Sequence, residues 1–133
     1  MQNLSEQDKT ILRTAAYGAV TLLSTADANG SPHKLATAGY LALNSAIGPI
    51  GHVLAEKSKL HNLGGKSVAA IADQVLPALT ASMVLIAEHD PAEADNFRDI
   101  VATAVDAALE ARGGSPSPIL IQITDMISEV LAR

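Results

Sequence analysis

Along most of this chain the apolar residues return at every third or fourth position. That period constrains the fold more than any other feature, because it describes one face of an α-helix, whereas a strand needs alternation by two. Ile11, Leu12, Ala15, Ala19, Leu22, Leu23 and Ala26 form the first stripe. Ser5 precedes it as a cap, with Glu6 and Asp8 in the first turn, where the helix dipole favours acids. Asp27-Ala28-Asn29-Gly30 ends this helix, and Ser31-Pro32 opens a second that runs to about Ala46, ahead of Gly48-Pro49. A short third helix is expected from Ile50 to Leu60, before Asn62-Leu63-Gly64-Gly65.

Ser67 caps the fourth helix, with a stripe of Val68, Ile71, Ala72, Val75, Leu76, Leu79, Met83 and Ile86. Pro77 lies inside it, lacks a backbone N–H and predicts a kink near Asp73 to Leu76. No charged residue occurs from Val75 to Ala87, which predicts a central, buried helix. Asp90-Pro91-Ala92-Glu93 opens the fifth helix with a cap, a proline at the first position and an acid at the third. That helix buries Phe97, Ile100, Val101, Ala104, Val105 and Ala108 and ends at Gly113-Gly114. Ser117-Pro118 opens the last one, carried by Ile119, Ile123, Met126, Ile127 and Val130. Ile119 to Ile123 alone would pass for a strand, but the helical stripe continues to Val130.

The pattern predicts a single compact all-α domain over residues 1–133 with about six helices. Gly30-Ser31-Pro32 recurs as Gly114-Ser115-Pro116, which suggests two similar helical hairpins around the central kinked helix. A chain of 133 residues buries roughly two thirds of its unfolded surface, enough for a core. Tyr17, Tyr40 and Phe97 are the only rings, so that core is aliphatic and close-packed, rich in the 24 alanines. Ala38, Ala42 and Ala46 beside Gly39 form a narrow face suited to close helix approach, within the chain or between copies.

Charge and composition exclude several functions. There is no cysteine, hence no disulfide, thiol nucleophile or thiolate metal site. The net charge of -5 and the scarcity of rings argue against nucleic acid as a partner. The first residues lack the basic-then-apolar order of a signal peptide, so a cytoplasmic setting is expected. Leu35 to Ala55 carries no formal charge and nears membrane-spanning length, but Asn44, Gly48, Pro49 and His52 interrupt it. Two short helices, with an apolar groove around Tyr40, are the better reading, and no membrane partner is expected. The charge is also polarised. Residues 31–67 set four lysines against Glu56, whereas residues 68–133 set ten acids against three arginines. On the fifth helix Asp95, Asp99, Asp106 and Glu110 lie opposite Phe97, as a solvated face or as a surface for a basic partner.

Motifs with chemistry are sparse. Gly64-Gly65-Lys66-Ser67 resembles the end of a phosphate loop, but Leu60 stands where the first glycine is needed. A helix end followed by a capped start explains it, with Lys66 able at most to hold a stray anion. Asp27-Ala28-Asn29-Gly30 resembles a piece of a calcium loop, yet position 12 falls on Ala36 and not on a glutamate. Among His33, His52, His61 and His89 no pair has the i, i+4 spacing of a helical metal site. His89, with Asp90 and Glu93, is the best metal candidate, and Asp27 is a second.

The stretch from Ala15-Ala16-Tyr17 to Asp27-Ala28-Asn29-Gly30-Ser31 resembles the repeat of the TerB-like, tellurite-resistance helical domains. The resemblance covers about half the chain. It implies an all-α fold, a cytoplasmic stress-response role and acidic metal-binding residues at the turns. Asp27 takes an acidic turn position, while His33-Lys34 and Ala111-Arg112-Gly113-Gly114 stand where the family carries further acids. The leading functional expectation is a non-catalytic cytoplasmic binding protein that self-associates or docks a protein partner, without a cofactor. A TerB-like divalent-metal binder and a small enzyme or carrier with an apolar site near residues 35–61 are the alternatives.

Overall fold

Six helices and no strand make up the described residues of the computed structural model, which are residues 4–27, 30–56 and 67–132. In chain order they are α1 (Glu6–Ala26), α2 (Pro32–Asn44), α3 (Gly48–Ala55), α4 (Val68–His89), α5 (Pro91–Arg112) and α6 (Pro118–Ala132). The all-α architecture read from the period is the one the chain adopts.

Local chemistry sets the helix boundaries. Ser5 Oγ accepts from the Asp8 N–H at 3.0 Å, and Asp8 Oδ2 accepts from the Ser5 N–H at 3.2 Å, so two otherwise orphaned donors are satisfied reciprocally. Ser67 Oγ accepts from the Ala70 N–H at 3.1 Å, and Asp90 Oδ1 from the Ala92 N–H at 3.1 Å. Gly113 and Gly114 end α5 at φ values of 68° and 69°, a left-handed backbone that glycine adopts without penalty. α6 begins at Pro118, so the Ile119 to Ile123 segment is helical. Two boundaries differ from expectation: α2 stops at Asn44, and α3 starts at Gly48. The expected continuation of α3 to Leu60 lies outside the described residues beyond Glu56.

The most deeply buried helix is α1, not α4. α1 and α5 each touch all five other helices, whereas α4 touches three. Leu12, Ala15, Ala16, Ala19, Val20, Leu22 and Leu23 are fully buried, and they lie on more than one side of the helix. Alanines at 15, 16 and 19 and Gly18 keep the α1 surface thin, so neighbours can approach from several directions at once. α2 inserts between α1 and α5. A Cβ on Gly39 would lie 2.7 Å from Val20 Cγ1 and 3.4 Å from Ala108 Cβ, so the closest approach depends on its absence. The narrow face of Ala38, Gly39, Ala42 and Ala46 is therefore spent at Gly39 on packing within the chain.

α4 lies against α1, α5 and α6 and buries only Ile71, Val75, Leu79, Ser82 and Ile86. The expectation of a central, buried α4 is corrected here. An uncharged stretch fixes how apolar a helix is, but not how many neighbours cover it. The helix runs unbroken through Pro77. The Ser82 hydroxyl, fully buried, donates back to the Ala78 carbonyl at 2.7 Å. Phe97 is the one fully buried ring, while Tyr17 and Tyr40 stack at 5.8 Å between α1 and α2.

One buried polar atom has no partner among the described residues, the Oγ1 of Thr14 on α1. A buried hydroxyl without a hydrogen bond costs about 1–3 kcal/mol. Thr14→Val is thus expected to raise stability by about 1 kcal/mol in urea unfolding, with the slope unchanged.

Candidate functional site

Arg13 interrupts the apolar face of α1 between Leu12 and Ala16 and is 1% exposed. Its Nε donates to the Val53 carbonyl at 3.0 Å, and its Nη2 meets Glu56 Oε2 at 2.7 Å. One turn on, the Tyr17 hydroxyl donates to the Leu54 carbonyl at 2.7 Å and lies 2.9 Å from Asn44 Oδ1. These donors satisfy the last carbonyls of α3, which a helix end otherwise leaves open. Lys9 and His52 stand 3.7 Å from the Glu56 carboxylate at the rim. The Tyr40 hydroxyl meets Thr21 Oγ1 at 2.7 Å. A groove of about 370 Å³ opens further along, where Ala46 and Ile47 face Asn96 and Asp99 of α5.

Burial pushes the Tyr17 phenol above its ordinary value of 10.0, against the lowering pull of the Arg13 charge. A group with its pKa raised by folding contributes stability that is fully present below the unfolded value and lost as pH rises through the folded one. Tyr17→Phe is therefore expected to flatten the fall in melting temperature above about pH 10, at a cost of about 1 kcal/mol at neutral pH.

Three of the four candidate metal residues have other partners. Asp27 is 2% exposed, and its Oδ1 accepts from Arg112 Nε at 3.0 Å and Nη2 at 2.9 Å. Its Oδ2 accepts from the Ser31 N–H at 2.9 Å. A Cβ on Gly30 would collide with both the carboxylate and the guanidinium, so glycine is needed beside the pair. Asp90 caps α5. Glu93 Oε1 accepts from the Ile50 N–H and from Asn96 Nδ2, each at 3.4 Å, while His89 is exposed. Among the described residues no three His, Asp or Glu side chains converge in a way that could hold a metal. Gly64, Gly65, Lys66 and His61 lie outside the described residues.

The Asp27–Arg112 pair draws together the α1–α2 and α5–α6 turns, the two segments that share the Gly-Ser-Pro echo. Breaking a buried pair by removing one partner costs about 3–5 kcal/mol, because the other charge remains buried. Arg112→Met is expected to cost about 3 kcal/mol. In a double-mutant cycle Asp27→Asn should recover part of that loss, as read by calorimetry.

On α5, Asp95, Asp99, Asp106 and Glu110 are all exposed. Only Asp95 among them has a cation against it, Arg98 at 2.6 Å. Arg98 also donates to the Leu131 carbonyl, tying α5 to the end of α6. Asp99 lines the groove beside Ile47, and Asp106 lines another of about 220 Å³ between α5 and α6.

The feature that sequence reasoning placed inside the core lies on the surface. α4 is the one described helix long and apolar enough to cross a membrane, at a mean hydropathy of 1.6, yet only 33% of its apolar window is buried. Pro77, Thr80, Ala81, Val84 and Ala87 are exposed, Val84 by 55%. Pro77 forms a ridge between two grooves. One, of about 520 Å³, runs between α4 and α1 along Ile11, Thr14, Gln74 and Ala81. The other, of about 320 Å³, runs between α4 and α6 along Leu76, Thr80, Met126 and Val130. Described hydroxyls at Thr10, Thr21, Thr25, Thr80 and Thr124 donate to the carbonyl one turn back, which is a structural use.

The architecture and this surface define a helical bundle whose apolar helix α4 is left partly uncovered. A comparison with protein-family models, characterised proteins and solved structures finds no match.

Proposed function

We propose that the chain is a non-catalytic helical interaction protein that works by docking a partner, or a copy of itself, on the exposed face of α4. The observation that supports this reading is the mismatch between composition and burial. A helix this apolar is ordinarily covered on most sides, and α4 leaves a continuous face from Pro77 to Ala87 exposed. Contiguous apolar patches on a soluble surface mark interaction sites or grooves. The reading carries with it a cytoplasmic setting and no nucleic-acid or membrane partner, in keeping with the acidic charge. The acidic stripe of α5 is then a solvated face.

Val84 tests this directly, since its exposure lets a charge be added without disturbing the core. Val84→Glu is expected to shift stability by less than about 0.5 kcal/mol. It should also abolish the complex, whether read as a dimer by sedimentation or as a partner retained in crosslinking from cells. Asp99→Lys with Asp106→Lys should leave that complex intact. A complex that survives Val84→Glu but not the α5 reversal would move the docking surface to α5.

A further inference from the structure

Resting on the docking reading, we propose that the occupant of the α4 face is an amphipathic helix of another protein, its apolar stripe flanked by lysine or arginine. The shape comes from the relief. From Pro77 to Ala87 the uncovered stretch rises about 15 Å, roughly three turns. The side chains along it are small, and the ridge at Pro77 has a groove on each side. A helix laid on such a ridge sends its own apolar side chains into both grooves.

The sign of the flanks comes from charge. The apolar stretch is closed at one end by Asp73 and at the other by Glu88, both exposed and without a cation against them among the described residues. Among the described residues the lysines are Lys9 and Lys34, neither of them on α4, α5 or α6. Arg98 and Arg112 are engaged with Asp95 and Asp27.

This distribution discriminates between occupants. A second copy would bring its own Asp73 and Glu88 against this acidic rim, and like charges in juxtaposition oppose association. An anionic bilayer is repelled for the same reason. A helix with cationic flanks meets the acids at both ends and the apolar stretch between them.

The test uses the whole chain and two synthetic helical peptides of about five turns with one shared leucine and alanine stripe, flanked in one by lysines and in the other by glutamates. Binding is read by fluorescence anisotropy at about 0.05 M and about 0.5 M salt. The lysine-flanked peptide is expected to bind at least roughly tenfold tighter at low salt, with the gap closing at high salt. Asp73→Lys with Glu88→Lys should reverse the preference, and Val84→Glu should abolish binding of both peptides. Equal affinity for the two peptides overturns the proposal, as does a dimer in sedimentation that Val84→Glu dissolves. Flotation with neutral phosphatidylcholine vesicles overturns it as well. Each of those three outcomes leaves docking on α4 standing. Absence of binding in every arm, peptides, self and vesicles alike, overturns the docking reading together with the proposal.

Discussion

Ala15, Ala16, Ala19 and Val20 leave α1 with almost no face that it can turn to water, so the other five helices all lie against it. Burial of apolar surface drives folding roughly in proportion to the area removed from water, and a helix buried on several sides draws in several neighbours. The small side chains of α1 make this geometrically feasible, and Gly39 of α2 answers them from the facing surface. The one charge that α1 carries into this environment, Arg13, is satisfied by the Val53 carbonyl and the Glu56 carboxylate. That pairing places the short α3, which has few residues with which to hold itself in position.

α1 is covered on nearly every side, whereas α4, packed against α1, α5 and α6, keeps one face open. α4 is nonetheless built from residues suited to an interior, and the exposed Val84 beside the ridge of Pro77 records that excess. Asp73 and Glu88, both exposed, close that apolar stretch at its two ends.

Much of the fold was legible because helices announce themselves locally. Caps at Ser5, Ser67 and Asp90, prolines at 32, 91 and 118 and the paired glycines after Arg112 mark boundaries within a residue or two. What stayed hidden is long-range. Nothing near Asp27 in the chain points to Arg112, and the pair makes a structural clasp of a residue that resembled a metal ligand. Arg13 did leave a signal, a lone charge within an apolar stripe between Leu12 and Ala16. Its meaning depended on the end of α3, some 40 positions away. The exposure of α4 was hidden for a different reason. Periodicity reports which residues share a face, whereas burial depends on how many neighbours compete for the same helix.

The clasp between Asp27 and Arg112 also bears on the order in which the chain can assemble. Its partners are 85 positions apart, so the turn after α1 is not locked until α5 has been completed. At a synthesis rate of about 5–20 residues per second, the Asp27 carboxylate waits for several seconds after it is made. During that interval the first hairpin is without its tie. Closure by a contact of such high sequence separation slows folding relative to a bundle held only by neighbouring helices, and it makes the first and last hairpins commit together.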